Sequence, residues 1–180
     1  MSKMPVQLEA MTANDIDDAA ELVRVAMNEN EATWAKQTME FHFGCVKHKL
    51  DDGRSYLVLK RNNRIIGLVG LHRYIWGPKE NVWLAWFAVD PHCRGQGLGS
   101  QLLAKAESLA TDMGYSKFFV ETYAAPVFDK ARAFYKSKGF AEVGRVDNYL
   151  PDGSAMIVYG KELCKGNEVN ETKRHFSNRS

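Results

Sequence analysis

The sequence predicts an α/β (α+β) domain: a mixed, mostly antiparallel central sheet with helices on both faces. Three observations predict it. Two short apolar runs joined by Asn62-Asn63 read as a hairpin, and VWLAWFAV (82–89), apolar at odd and even positions alike, reads as a central strand covered on both faces. Helical periodicity then sets in, followed by a strand and a second helix.

Each element has a local reason. Val6–Met11 is a short strand, and Thr12–Asp15 forms a capping-box pattern that starts a helix with Ile16, Ala19, Ala20, Val23 and Met27 along one side. A second helix is expected over Thr33–Leu50, carrying Trp34, Met39, Phe41, Phe43 and Val46, until Asp51-Asp52-Gly53 breaks it. Ser55–Lys60 and Arg64–Tyr74 are strands whose turn, Asn62-Asn63, tolerates positive φ. After Val82–Val89, the stripe Leu98, Leu102, Ala106, Leu109 and Met113 marks a helix ending near Gly114. Lys117–Tyr123 is a strand and Val127–Lys138 a helix stopped by Gly139; strands Ala141–Asn148 and Ala155–Leu163 flank the turn Pro151–Gly153. The domain runs over 5–163. Residues 164–180, polar and without periodicity, read as a flexible tail, with Lys173–His175 as a solvated run.

Composition excludes several functions. The 180 residues hold 24 Lys and Arg against 22 Asp and Glu, which argues against a general nucleic-acid binder. No apolar run approaches the about 18 residues of a membrane span, and the N-terminus lacks a signal-peptide pattern. Three widely spaced cysteines, Cys45, Cys93 and Cys164, read as free thiols of a reducing compartment, so a cytoplasmic protein is expected. The sequons at Asn170 and Asn178 are then chance matches. No C-x-x-C or H-E-x-x-H pattern points to a metal.

Gly95, Gly97 and Gly99 lie between the apolar strand and the helix that follows. Unpaired N–H groups at a helix start, with no Cβ over them, make an anion site. A P-loop is excluded because no Lys-Ser/Thr pair follows the glycines. A dinucleotide fingerprint has Gly95 and Gly97 and an acid at Glu121, but Ser100 stands at the third glycine and the loop from Asp90 is too long.

RGQGLG (94–99) resembles the R/Q-x-x-G-x-G/A motif of the GNAT superfamily of acetyl-CoA-dependent N-acetyltransferases. AVDP (88–91) precedes it, and ARAFYKSKGF (131–140) is similar to the family's A-x-x-x-Y-x-x-x-G-F block. The element order agrees from about Pro5 to Leu163. The resemblance implies a GNAT-like sheet with a splayed parallel strand pair, with acetyl-CoA as cosubstrate; no metal is expected beside it, since no metal-ligand pattern is present. It puts the diphosphate on the amides of Arg94, Gly95, Gln96, Gly97, Leu98, Gly99 and Ser100, with the Arg94 side chain adding charge. Val89 would hold pantetheine, the Phe87 N–H would face the thioester carbonyl, and Tyr135 would protonate the departing thiolate.

Two positions depart from the family pattern: Trp83 stands where some members carry a glutamate base, and Phe128 where many carry a cofactor-touching Asn. Glu121, expected to be buried on the apolar strand, is the replacement base; the other reading is a strand-end carboxylate in water. Glu80, His72, Tyr74 and a water chain are further candidates. Trp34, Trp76, Trp83, Trp86 and Tyr149 are candidates for the acceptor pocket or the core, while His92 and Cys93 read as exposed loop residues. The expected acceptor is a small-molecule amine or amino acid; a protein lysine or N-terminal amine, or a non-catalytic acetyl-CoA sensor, are the alternatives. Neither nucleic acid nor membrane is expected as a partner, and homodimers are common among relatives.

Overall fold

The computed structural model describes residues 6–163. Cys164, both sequons, the Lys173–His175 run and the expected flexible tail lie outside the described residues. In chain order the elements are β1 (Gln7–Ala10), α1 (Ile16–Ala26), α2 (Glu29–Lys47), β2 (Arg54–Arg61), β3 (Arg64–His72), β4 (Asn81–Val89), α3 (Leu98–Asp112), β5 (Lys117–Tyr123), α4 (Asp129–Ser137), β6 (Ala141–Val146) and β7 (Met156–Glu162).

The strands form one seven-stranded sheet ordered β1-β2-β3-β4-β5-β7-β6. All neighbours are antiparallel except β4 and β5. Helices α1 and α2 cover one face, where Ala19, Val23, Ala35 and Met39 pack with Val58 and Leu68. On the other face Leu98, Leu102 and Ala106 of α3 join Val69, Leu84 and Phe118. The mixed sheet with helices on both faces is therefore as expected. The last hairpin is threaded differently from a simple meander, because β7 inserts between β5 and β6.

The capping box forms as the sequence predicts. The Thr12 N–H and hydroxyl both donate to Asp15 Oδ2 at 2.8 Å. Lys60 of β2 holds the other oxygen, Oδ1, at 2.7 Å, which fixes the start of α1 against the sheet. Asn62 and Asn63 take φ of 53° and 60°, the left-handed values the hairpin turn requires.

Helix α2 departs from expectation. It begins earlier, at Glu29, where Asn28 caps it by accepting the Glu31 N–H at 3.0 Å. Its buried side is Ala32, Ala35, Met39 and His42, while Trp34, Phe41 and Val46 face outward. Small residues, not the large aromatics, let α2 approach α1 closely. Met27 and Met113 also turn out exposed, each just past its helix end.

Two irregularities of β4 shape the centre of the sheet. Strands β4 and β5 pair only at Asn81↔Lys117, Val82↔Phe118 and Trp83↔Phe119, and diverge beyond. On its other edge β4 pairs Leu84↔Leu71 and Phe87↔Val69, so Gly70 alone faces both Ala85 and Trp86. This is a β-bulge. Glycine is needed at position 70 because a Cβ there would meet the Tyr56 ring at 2.7 Å. Among the described residues no helix is long and apolar enough to cross a membrane.

Candidate active site

The divergence leaves the edge of β4 facing β5 without a partner strand past Trp83. Which groups point there follows from the ladder on the other side. The Asp90 N–H donates to the Ile66 carbonyl of β3 at 2.9 Å. Successive N–H groups of a strand alternate between its edges, so the Phe87 and Val89 N–H groups point into the open slot.

At the end of β4, Asp90 is buried (2% exposed) and organises the loop. Its Oδ1 accepts the His92 N–H at 2.8 Å and its Oδ2 the Arg64 guanidinium at 2.8 Å. Gly95 and Gly97 then take φ of 75° and 78°, and a Cβ on either would have no atom within 4 Å. Among the described residues the N–H groups from Gly95 to Ser100 have no acceptor. The start of α3 thus presents a row of unpaired donors at the positive end of the helix dipole. Arg94 does not lie over them: its guanidinium donates to the Ala26 carbonyl of α1 at 3.1 Å. Cys93 is buried under the loop rather than exposed. Arg61, not anticipated from the sequence, donates to Gln96 Oε1 at 3.3 Å and braces the loop from β2.

Tyr135 of α4 is buried on the α3 side of the slot, its ring centroid 6.3 Å from that of Phe87. Burial pushes its phenol above the ordinary value of 10, so it is a proton donor at neutral pH. Glu121 lies across the sheet, since it alternates with the core residues Val120 and Thr122. Its expected burial is not found: Glu121 is exposed, and its Oε1 accepts the Tyr123 hydroxyl at 3.0 Å. The reason is that no helix covers this side of β5, because α1 and α2 pack over β2–β4.

Among the weaker candidates, Glu80 is displaced: its carbonyl accepts the Ser116 and Lys117 N–H groups at the closed end of the strand pair. The His72 imidazole is pulled from 6.5 down to about 4, first by burial, then by Arg54 and Arg73. It is neutral at pH 7 and too weak a base for an ammonium. Because the folded value lies below the unfolded one, the unfolded chain alone gains this proton as pH falls from 6.5 towards 4. The corresponding stability is present above pH 6.5 and lost in that window. Discounted for the half-exposed ring, it amounts to about 1 kcal/mol. The expected results are an imidazole NMR signal for His72 that stays flat down to pH 5, and a urea midpoint whose acid decline is shallower in His72→Gln.

Aromatic side chains gather around the Glu121 face of the sheet. Tyr74 stacks on Trp76 (5.7 Å), Trp83 on Phe119 (5.0 Å) and Tyr123 on Tyr149 (6.0 Å). Phe128 meets Tyr123 edge-on at 5.2 Å. Trp86 is instead core, its Nε1 donating to Thr38 Oγ1 at 2.8 Å, and Trp34 is exposed on α2. Sequence reasoning missed Tyr123 and Arg132. The Arg132 guanidinium donates to the Tyr123 and Ala125 carbonyls and ties α4 to the end of β5. The only sequence signal for it was its place inside the ARAFY block. Among the described residues no three His, Cys, Asp or Glu side chains gather as a metal site.

The gap between β4 and β5 is thus bordered by a row of unpaired loop amides and by the buried Tyr135 phenol. A sequence model of the acetyltransferase (GNAT) family matches residues 19–140. The chain belongs to that family and is an acyltransferase. It is 32% identical over 115 residues to the aminoalkylphosphonate N-acetyltransferase of Salmonella typhimurium, covering 62% of this chain and 71% of that one. Among solved structures, a GNAT-family protein from Desulfovibrio desulfuricans superposes with a TM-score of 0.80 at 21% identity, over 89% of this chain and all (100%) of that one. A GNAT acetyltransferase from Elizabethkingia anophelis with acetyl-CoA bound gives 0.68 at 20% identity, over 89% and 100%.

Proposed function

We propose that residues 5–163 transfer an acetyl group from acetyl-CoA to the primary amine of a small molecule by direct attack. The observation that carries this reading is the slot between β4 and β5, flanked by the unpaired amides of Gly95–Ser100 and by Tyr135. The residues present fit the cosubstrate. The loop amides, reached without Cβ obstruction at Gly95 and Gly97, would take its diphosphate. The Val89 main chain would hold the pantetheine arm as an added strand would be held. The Phe87 N–H would donate to the thioester oxygen as negative charge develops there, a contact whose loss typically costs about 3–4 kcal/mol of barrier.

The amine nitrogen forms a bond to the thioester carbon, and the carbon–sulfur bond breaks. The sulfur leaves with the Tyr135 proton, and the amine proton passes to Glu121 or through it to water. Exposure makes Glu121 a base in exchange with solvent, so the amine must lose its proton to water-accessible groups. The test joins calorimetry with thiol release. Acetyl-CoA is expected to bind, and thiol to appear only when an amine is added. Binding without release on any amine would make the domain a sensor; no binding at all would end the reading.

A further inference from the structure

The acceptor rim carries more chemistry than holding a neutral amine requires. Trp76 is 83% exposed and stacks on Tyr74 at one side of the slot mouth. Tyr149, half exposed, stacks on Tyr123 at the other. Exposed aromatic faces close to a ligand slot are favourable surfaces for an organic cation. The charges around them have the same bias. Tyr123 is held protonated chiefly by burial, then by the Glu121 carboxylate and, more weakly, by Tyr149 and Glu31, which places all four groups in one field. Tyr74 responds to Glu121 and Tyr149 as well. Glu31, on the first turn of α2, is half-buried, and among the described residues no cation pairs with it. Arg54 reaches this field through Tyr74 and Arg132 lies against the Tyr123 carbonyl, and both are already engaged, Arg54 by Asp52 at 3.4 Å and Arg132 by Asp129.

Resting on the amine-transfer reading above, we propose that the acceptor carries a second positive charge, as a diaminoalkane or longer polyamine does. One nitrogen, deprotonated, attacks in the slot. The other, as an ammonium, sits between the Trp76–Tyr74 and Tyr123–Tyr149 pairs, facing Glu31. An acceptor with an anionic tail would meet two carboxylates there and, among the described residues, only cations already paired. In this respect the site differs from what an aminoalkylphosphonate, the substrate named for the Salmonella relative, would need.

The experiment compares three acceptors of one carbon length, diaminobutane, butylamine and aminobutyrate, whose far ends are positive, neutral and negative. Thiol release is followed with the full chain and acetyl-CoA. The expected order of kcat/KM is diaminobutane above butylamine by about ten-fold, with aminobutyrate lowest. Most of the difference is expected in KM. In Glu31→Gln and in Trp76→Ala the ratio of diaminobutane to butylamine should fall to about three or below; a ratio unchanged in both variants overturns the role given to the rim. Butylamine or aminobutyrate used as well as diaminobutane overturns the second charge and leaves amine transfer standing. If none of the three releases thiol while calorimetry still detects acetyl-CoA binding, the amine-transfer reading falls first and the proposal with it.

Discussion

Tyr135→Phe is expected to lower kcat by about 10²- to 10³-fold while the KM for acetyl-CoA stays within about two-fold. The separation follows from where the hydroxyl lies. The ring is packed against Phe134 and Phe140 and beside Phe87, and phenylalanine preserves those contacts. Only the oxygen is lost, and among the described residues that oxygen has no hydrogen-bond partner to orphan. The thermal midpoint should therefore move by no more than about 2 °C. On the proposed mechanism, what disappears is the proton for a departing thiolate. Burial holds the phenol protonated well beyond neutral pH, so the loss should be uniform between pH 6 and pH 9, windows in which an ordinary phenol of pKa about 10 is also neutral. A kcat within about three-fold of the parent would remove Tyr135 from the chemistry.

The second large effect is expected at Gly97. Its φ of 78° lies in the left-handed region, and no atom stands within 4 Å of where a Cβ would go. Gly97→Val should cost about 1–2 kcal/mol of stability for the strained β-branched backbone. Its larger consequence is to place a branched side chain above the unpaired amides, raising the acetyl-CoA Kd by about 100-fold or more. Gly114 supplies the control. It has a φ of 88° and equally open surroundings, but it follows the last turn of α3, away from the loop. Gly114→Val should carry a similar stability loss with acetyl-CoA affinity intact. Equal affinities in the two variants would show that the space over Gly97 is not where the cosubstrate lies. Both quantities come from denaturant titration and calorimetry on the same preparations.

Local chemistry made much of this readable from the chain. The Thr12–Asp15 box and the Asn62-Asn63 turn each depend on contacts within a few residues, and each forms as the residues suggest. What could not be read depended on distant partners. Whether Trp34 or Ala35 of α2 turns inward is decided by how closely α1 approaches. The place of β7 between β5 and β6 follows from sheet pairing, which hairpin spacing does not encode. Glu121 illustrates the same point within the site: an apolar strand suggested burial, but only the extent of α1 and α2 determines that this stretch of sheet stays uncovered. The ion pair of Asp90 with Arg64 likewise reaches back 26 residues, beyond what the AVDP stretch itself shows.

The parting of β4 and β5 after Trp83 bears on how abundant the folded chain is. A sheet interrupted in its interior hands part of its cohesion to whatever molecule closes the gap. Where such a molecule binds the folded form alone, folding and occupancy become one linked equilibrium: the stabilising free energy grows with the logarithm of free ligand, and the ratio of folded to unfolded chain grows in direct proportion to it once ligand exceeds its Kd.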